Sequence, residues 1–216
     1  ICNESNYNIF KIFLNSCLKL NIKAKILYLS SSEIFGSNQI KKKNEKSKLI
    51  SSNCYSKCKI KSFKMINKFR KKFNFHITNA ICYNHESEFT PKNHLIRKII
   101  KLLKSNKKKV TIYNPTEKRN ISYAEDFLPY FYKAIKEKKS DNYIFANNEN
   151  ITVKEISEYY NKIFNKKIIY KSKKNLISRM ASNKKLVKKF NYKPKFSTFK
   201  ILKQMLINDN KKLYLK

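Results

Sequence analysis

Apolar residues along the first part of the chain switch between helical and extended spacing. Residues 7–20 place apolar side chains three and four positions apart, which predicts an amphipathic helix. The short apolar run at 24–29 predicts a buried strand that ends in the polar cluster 30–33. After a lysine-rich loop, a second helix is predicted over residues 54–73 and a second strand over residues 75–83.

Helices and strands that alternate in this way are typical of a parallel α/β sheet, in which each helix crosses back over the sheet. Ligands of such sheets bind at the carboxyl ends of the strands. The polar cluster 30–33 and the sequence Asn-His-Glu-Ser at 84–87 both follow predicted strands. We therefore expect these two clusters to face one common crevice.

The second half of the chain predicts a smaller α/β lobe. Thr152 and Glu155 form a capping-box sequence at the start of one of its helices. That helix is expected to point four side chains inward: Val153, Ile156, Tyr160 and Ile163. The other predicted elements are a helix over 93–104, a strand at 110–113, a helix from about residue 124, strands at 143–146 and 167–170, a helix capped by Ser182, and a last helix marked by Phe199, Leu202 and Leu206.

The composition is strongly basic, with 50 Lys and Arg against 14 Asp and Glu and a formal net charge of +36. A charge of this size raises the question of a nucleic-acid partner. The lysines, however, are spread along the whole chain and accompany one glycine and no tryptophan, as expected from an AT-rich genome. We therefore do not predict nucleic-acid binding. The 41% hydrophobic and 13% aromatic content predicts a folded domain.

The five cysteines form neither an even disulfide framework nor paired zinc knuckles, so they are interpreted as reduced cytosolic thiols. Cys54 and Cys58 lie one helical turn apart, but without a second ligand pair they predict packing and no metal site. No apolar run reaches the ~20 residues of a membrane span and no leader sequence opens the chain, so a cytoplasmic location is expected. The chain begins at Ile1 and enters helical sequence at once, which suggests an upstream portion that is absent here.

A tyrosine followed four residues later by a lysine places both side chains on one face of a helix. A nearby ammonium lowers the pKa of a phenol, so the tyrosine can act as a base in hydride transfer from an alcohol. Only Tyr55 and Lys59 open the next helix after a strand that ends in hydroxyl and carboxylate side chains. Tyr7/Lys11 and Tyr170/Lys174 also have this spacing, which we interpret as coincidence in a lysine-rich chain.

Ser31 and Glu33 lie at the end of the first predicted strand. Alternation along extended backbone points both side chains the same way, which gives a hydroxyl donor beside a potential carboxylate base. Alternatively, the serine cluster simply ends the strand and satisfies loop amides.

Three motifs, taken in order, resemble those of a known family. They are Ser-Ser-Ser-Glu-Ile-Phe-Gly at 30–36, Tyr55 with Lys59, and Asn-His-Glu-Ser at 84–87. Together they resemble the GDP-mannose 4,6-dehydratase family of extended short-chain dehydrogenases/reductases. Three further stretches extend the similarity over nearly the whole chain: residues 96–99, 119–126 and 183–194.

The resemblance implies a partial Rossmann-type parallel sheet flanked by helices, with a small α/β substrate lobe. Residues 1–87 would be the C-terminal part of a dinucleotide-binding domain, and residues 88–216 mainly a substrate-binding lobe interleaved with it. The implied activity is dehydration of GDP-mannose with bound NADP. A homo-oligomer is implied for the full-length protein.

The resemblance also implies a role for each matching residue. Tyr55 would deprotonate the sugar 4-hydroxyl while NADP+ takes the C4 hydride, and Lys59 would hold the nicotinamide ribose. Ser31 stands where the family has threonine, and Glu33 would remove the C5 proton and help to expel water from C6. The implied ligand contacts are with the cofactor for His85, with the nucleotide-sugar for Asn84 and Lys98, and with its diphosphate for Arg119.

The chain departs from the family at three places. Residues 88–91 replace the family's Pro-Arg-Arg-Gly, which leaves the choice between NADP and NAD open. The substrate-holding Arg-Pro-Ala-Glu has no clear match, with residues 171–174 and Arg179 as competing candidates. The phosphate-cradling glycine motif is absent, since Gly36 is the only glycine. Two alternatives therefore stay open: another nucleotide-sugar epimerase or dehydratase of the same class, and a catalytically inactive truncated homologue.

Overall fold

The structure is a computed structural model that describes residues 4–173 and 177–211. Its helices are α1 (Ile9–Lys19), α2 (Cys54–Phe73), α3 (Leu95–Lys104), α4 (Leu128–Lys136), α5 (Val153–Phe164), α6 (Lys184–Phe190) and α7 (Thr198–Lys211). Its strands are β1 (Ile26–Ser31), β2 (Ile77–Cys82), β3 (Asn84–Glu86), β4 (Lys109–Tyr113), β5 (Lys118–Arg119), β6 (Ile121–Tyr123), β7 (Asn142–Phe145), β8 (Ile151–Thr152) and β9 (Lys167–Lys171). Single turns of π- or 3-10 helix cover Glu4–Asn8, Ser32–Ile34 and Ala124–Asp126.

Strands β1, β2 and β7 form a parallel sheet in the order β1-β2-β7, with Leu29 opposite Ala80 and Ile81 opposite Ile144. Every residue of β2 is buried, as expected for a central parallel strand covered on both faces. Strand β7 comes from the second half of the chain, so both halves contribute to this sheet. The predicted parallel α/β fold is therefore confirmed.

Helices cover both faces of the sheet because alternate side chains of each strand point to opposite sides. Helices α1 and α2 pack on one face, and helices α4 and α6 pack on the other. The cluster on the first face contains Leu14, Tyr28, Ile66, Phe69 and Ile77, and the cluster on the second face contains Ala80, Phe127, Ala134, Phe145 and Leu186.

The second lobe is built from helices α3, α5 and α7 and three pairs of short strands. Strand β4 pairs with β9 and β3 with β6 in parallel, whereas β5 and β8 are antiparallel. The lobe has its own core, which includes Ile100, Ile112, Tyr160, Leu202 and Met205. Strand β3 follows β2 after a single residue, and Arg119 of β5 lines the same cleft as the ends of β1 and β2. This lobe therefore contributes side chains to the edge of the main sheet.

Helix α5 carries one confirmed and one wrong prediction. The hydroxyl of Thr152 accepts a hydrogen bond from the backbone N–H of Glu155 at 3.1 Å, and the Glu155 carboxylate accepts one from the backbone N–H of Thr152 at 2.7 Å, which is the predicted capping box. Ile156 and Tyr160 are buried as expected, but Ile163 is 57% exposed. Ile163 lies in the last turn of α5, where the helix face is no longer covered, so helical spacing alone placed it wrongly.

The prediction that Ser182 caps a helix is also wrong. Helix α6 begins after Asn183, which occupies the N-cap position without a side-chain capping hydrogen bond. The amide of Asn183 instead donates to the carbonyl of Ala146 at 2.9 Å and to Oδ1 of Asn148 at 2.8 Å. A tertiary contact with the loop after β7 therefore takes the place of a local cap.

Three further properties concern the part of the chain that the structure describes. No helix there is both long and apolar enough to cross a membrane. Within the same residues, no group of three or more His, Cys, Asp and Glu side chains could hold a metal ion. Cys2 and Lys174 lie outside the described residues. The described cysteines are not joined in disulfides: Cys17, Cys54, Cys58 and Cys82.

Candidate active site

A cleft of about 640 Å³ opens at the carboxyl ends of β1 and β2. Its walls come from the end of β1, the residues that follow β2, the first turn of α2, the start of α3, β5 and the segment after β9. The polar clusters at two parallel strand ends therefore meet in one crevice, as expected. Seven of the eight residues singled out by the sequence line this cleft: Ser31, Glu33, Tyr55, Asn84, His85, Lys98 and Arg119.

The end of β1 presents a hydroxyl and a carboxylate. After Ser31 the backbone enters the 3-10 turn Ser32–Ile34, and the Ser31 hydroxyl accepts a hydrogen bond from the backbone N–H of Glu33 at 3.3 Å. Ser31 thus ends the strand and satisfies a loop amide, which agrees with the alternative interpretation of the serine cluster. It also lines the cleft. The Glu33 side chain is 29% exposed, which leaves its carboxylate accessible from the cleft.

The first turn of α2 brings Tyr55 to the cleft wall. The helix starts there because Asn53 caps it: its Oδ1 accepts a hydrogen bond from the backbone N–H of Ser56 at 2.8 Å. Tyr55 is 36% exposed, so its phenol is accessible from the cleft. A base in this position can reach a hydroxyl group of a bound ligand.

Lys59 lies one helical turn after Tyr55 and is the predicted site residue that does not line the cleft. Its Nζ lies 5.6 Å from the centre of the Tyr55 ring and 4.9 Å from that of Tyr28. The ammonium also donates to the carbonyl of Leu29 at 3.0 Å. Burial lowers the pKa of Lys59, and neighbouring thiols oppose that shift. The lysine is thus held between β1 and the tyrosine ring.

The residues after β2 divide between the cleft and the interior. Asn84 and His85 line the cleft, and His85 Nδ1 lies 2.9 Å from the carbonyl oxygen of Tyr83. Glu86 is only 2% exposed, and burial raises its pKa to about 7, although a hydrogen bond from Thr90 and the charge of Arg97 both act to lower it. Glu86 therefore belongs to the interior of the second lobe.

Arg119 is held by a buried carboxylate. Its Nη2 lies 2.5 Å from Oε2 of Glu117, and burial lowers the pKa of the guanidinium while Glu117 raises it. The other oxygen of Glu117 accepts hydrogen bonds from the Asn114 amide at 2.8 Å and from the backbone N–H of Ile177 at 2.7 Å. One buried carboxylate therefore orients Arg119 and anchors the segment that leads to Arg179.

Basic side chains dominate the cleft wall. Lys98, Arg119 and Arg179 line it with two histidines, whereas Glu33 is the acidic side chain among the described wall residues. The pKa of His94 is lowered, first by burial and then by the neighbouring His85 and Lys98, so the neutral form of its imidazole is favoured. Cations spaced along one edge of a cleft suit the oxygens of a phosphorylated ligand.

Sequence reasoning missed two residues that hold site side chains, and it left a third open. Asn53 stands just before Tyr55, and its residue type is one of the preferred helix caps, so this position could have been found. Glu117 gives no signal beyond its place two residues before Arg119. Arg179 was one of several candidates for a substrate contact, and the structure places it in the cleft wall, 8% exposed.

Comparisons with known proteins agree with this architecture. The sequence profile described as GDP-mannose 4,6 dehydratase matches residues 7–213. A GDP-mannose 4,6 dehydratase of Drosophila melanogaster is 26% identical over 148 residues, which are 67% of this chain and 38% of the fly protein. One from Cricetulus griseus is 23% identical over 164 residues, which are 74% of this chain and 44% of the hamster protein. The chain thus spans less than half the length of these relatives.

Solved structures share the fold at low sequence identity. A dTDP-glucose 4,6-dehydratase from Bacillus anthracis, solved with NAD, superposes with a TM-score of 0.85 at 18% identity, over 97% of this chain and 68% of the other. The protein RMD from Pseudomonas aeruginosa, solved with NADPH, gives a TM-score of 0.82 at 15% identity, over 95% of this chain and 73% of the other. The sheet is accordingly of the Rossmann type. Because the family profile covers nearly all of its residues, the chain belongs to the GDP-mannose 4,6 dehydratase family.

Proposed function

We propose that this protein acts as a nucleotide-sugar 4,6-dehydratase that converts GDP-mannose to GDP-4-keto-6-deoxymannose. The observation that carries the proposal is that a phenol, a hydroxyl and a carboxylate, from Tyr55, Ser31 and Glu33, line one cleft whose other wall is basic. A hexose attached to a diphosphate presents the complementary groups, since its ring is uncharged and its diphosphate is anionic.

Proton transfers in the proposed reaction are divided between two residues. Tyr55, with the Lys59 ammonium beside its ring, takes the proton of the sugar 4-hydroxyl, and the Ser31 hydroxyl hydrogen bonds to the same oxygen. Glu33 takes the proton from C5 and passes it to the C6 hydroxyl, which leaves as water. The proton that Tyr55 took from the 4-hydroxyl would return to C5 when the hydride returns to C6. The hexose therefore loses one water in total.

The residues of the cleft also fit the nicotinamide end of a dinucleotide, which, when bound, takes up the hydride from C4 and returns it at C6. The Ser30 hydroxyl is buried at the cleft and has no hydrogen-bond partner among the described residues. It could serve as a polar contact for such a group, beside Tyr55 and His85, and Lys59 would hold the ribose. The 216 residues contain no glycine-rich motif for the diphosphate of the dinucleotide. We propose NADP as the cofactor and NAD as the alternative.

Nucleotide-sugar binding is assigned to the basic wall. Arg119, fixed by Glu117, would contact the diphosphate, and Lys98 and Asn84 would contact the nucleotide-sugar beside it. In this assignment residues 1–87 supply most of the dinucleotide site and residues 88–216 most of the substrate lobe. The proposal includes a cytoplasmic homo-oligomer as the working form.

Mass-spectrometric product analysis tests the proposal most directly. The protein expressed from its complete reading frame is incubated with GDP-mannose and either coenzyme, and loss of one water from the sugar is expected. Tyr55→Phe should lower turnover by about a thousandfold, the effect of removing a general base. Tyr132→Phe is the matched control, because Tyr132 is exposed on α4, away from the cleft.

Three results would contradict parts of the proposal. Turnover of a UDP- or dTDP-sugar without turnover of GDP-mannose would reject the substrate. Full activity of Tyr55→Phe would remove Tyr55 from the mechanism. Binding of nucleotide-sugars without conversion of any of them would identify the protein as a catalytically inactive homologue.

A further inference from the structure

We propose that Asn53 and Arg179 are positioning residues that hold the Glu33 carboxylate from two sides and aim it at the sugar ring. The proposal rests on the proton-accepting role proposed for Glu33. Each of the two residues contacts a different oxygen of this carboxylate. Neither contact is local, since Asn53 lies in the cap of α2 and Arg179 in the segment between β9 and α6.

Asn53 has its orientation fixed by the helix that it caps. Its Oδ1 must face the backbone N–H of Ser56, at 2.8 Å, to satisfy the first turn of α2. Its Nδ2 is thereby turned outward and donates to Oε2 of Glu33 at 2.8 Å. The same helix turn carries Tyr55, so this one side chain fixes the carboxylate relative to the tyrosine. The separation between the two proposed proton acceptors, Tyr55 and Glu33, is therefore fixed.

Arg179 has its guanidinium fixed by backbone carbonyls. Its Nη1 donates to the carbonyl of Gly36 at 3.1 Å and to that of Ser37 at 2.6 Å, both just after the turn that contains Glu33. Its Nη2 lies 3.5 Å from Oε1 of Glu33. The backbone N–H of Arg179 donates to the carbonyl of Lys118 at 2.8 Å, which ties this arginine to the strand of Arg119.

These contacts favour a positioning role over direct substrate binding. The Nη1 donors of Arg179 are directed at two protein carbonyls, and its Nη2 is directed at Glu33. Arg179 is 8% exposed, and a buried guanidinium is costly when it lacks partners. Its three contacts with protein groups therefore hold it in one position. With both oxygens bound, the carboxylate has few alternative rotamers, and reactions are sensitive to misplacement of a base on the scale of an ångström.

Two substitutions test the positioning. Asn53→Asp keeps the capping oxygen but replaces the donor that faces Glu33 with a carboxylate oxygen. Arg179→Met keeps the stem and removes the guanidinium. Each variant should lower kcat for GDP-mannose by at least about tenfold with KM changed by less than about threefold, because an interaction needed after substrate binding is lost. Arg179→Lys should recover part of the loss, since an ammonium can pair with Glu33 without making both carbonyl contacts.

The matched control is Arg70→Met. Arg70 is a half-buried arginine that also donates to backbone carbonyls, those of Ile77 and Asp141, but it lies away from the cleft. Its loss should lower the melting temperature and leave kcat per folded molecule within about twofold. Substrate labelled with deuterium at C5 separates the two roles: the isotope effect on kcat should rise in Asn53→Asp and Arg179→Met and stay at the wild-type value in Arg70→Met.

Two outcomes would overturn the positioning role. A raised KM with unchanged kcat in Arg179→Met would make Arg179 a substrate contact instead. Crystal structures of Asn53→Asp and Arg179→Met need no turnover, and a Glu33 carboxylate that keeps its wild-type rotamer in both would also reject the proposal. Absence of turnover in the wild-type protein would overturn the proposed function alone, and these structures would still decide whether the two residues position Glu33.

Discussion

Two carboxylates follow neighbouring strands of the same sheet, yet their surroundings are opposite. Glu33 comes after β1, lines the cleft and has a side chain that is 29% exposed, with Asn53 and Arg179 on its two oxygens. Glu86 ends β3, the short strand that follows β2, is 2% exposed and has one oxygen without a hydrogen-bond partner among the described residues. Burial raises the pKa of Glu86 to about 7.

The comparison shows that a shifted pKa does not by itself identify a reactive carboxylate. Shifted groups are common at functional sites, but burial in a structural core produces the same shift. In β3, His85 is exposed at the cleft and Glu86 is buried, so a single step along the strand separates a cleft residue from an interior one. Accessibility from the cleft and the partners of the two oxygens distinguish Glu33.

The largest expected effect is on turnover. Glu33→Gln removes the proposed proton acceptor and should lower kcat by about a thousandfold, within the range for general acid–base catalysis. Glu86→Gln should leave kcat within about threefold, because Glu86 does not reach the cleft. Both are measured as product formation from GDP-mannose, corrected for the folded fraction of each variant.

The opposite effects of the two substitutions would contradict this comparison of Glu33 with Glu86. If Glu86→Gln lost activity and Glu33→Gln kept it, the buried carboxylate would be the functional one and the cleft carboxylate a structural residue. Circular dichroism of both variants excludes unfolding as the cause.

The next effect is on stability and concerns Glu86. A carboxyl whose pKa is raised in the folded state binds more protons there than in the unfolded chain, so stability falls as pH rises. With an ordinary pKa of 4.5 and a folded value of about 7, the loss accumulates between these two pH values. Its full size is about 3 kcal/mol, from the free energy that corresponds to such a difference in pKa.

Glu86→Gln removes this titration, because the amide stays neutral at every pH. Urea unfolding at pH 5 and pH 8 measures the free energy of unfolding of both proteins. The difference between variant and wild type should shift in favour of the variant by up to about 3 kcal/mol from pH 5 to pH 8. Comparing the two proteins at each pH cancels the titration of other groups, such as His76, whose pKa burial lowers. Parallel pH profiles for the two proteins would mean that Glu86 is not buried as a neutral acid.

The strands and the cleft at their carboxyl ends could be predicted from sequence. Hydrophobic periodicity indicates the strands, and the ends of parallel strands indicate where a cleft lies. The cluster 30–33 and the sequence at 84–87 are predicted at one edge on this basis, and of the second cluster Asn84 and His85 line the cleft whereas Glu86 and Ser87 do not. Which face Glu86 takes could not be predicted, since β3 is a strand of three residues that pairs with β6, a distant segment. A strand this short carries too little pattern to fix its register.

The hydrogen-bond and ion-pair partners of the site residues could not be predicted from sequence patterns either. Arg179 meets Glu33 only because the segment after β9 returns to the end of β1, and no periodicity encodes that contact. Ile163 and Ser182 fail for the opposite reason. Local rules for helix faces and caps were applied there, but tertiary packing leaves Ile163 uncovered and gives the side chain of Asn183 another partner.

The smallest effect concerns Thr90, whose hydroxyl hydrogen bonds to Glu86 and acts to lower its pKa. The same oxygen accepts a hydrogen bond from the backbone N–H of Ser87 at 2.8 Å. Thr90→Val should cost about 1 kcal/mol at pH 5, the value of one buried hydrogen bond, and more at pH 8, where Glu86 is ionised and needs the donor. Thr90→Ser is the control that keeps the hydroxyl. Urea unfolding at both pH values measures the difference, and an equal loss at each would show that Thr90 serves Ser87 alone and that burial by itself sets the state of Glu86.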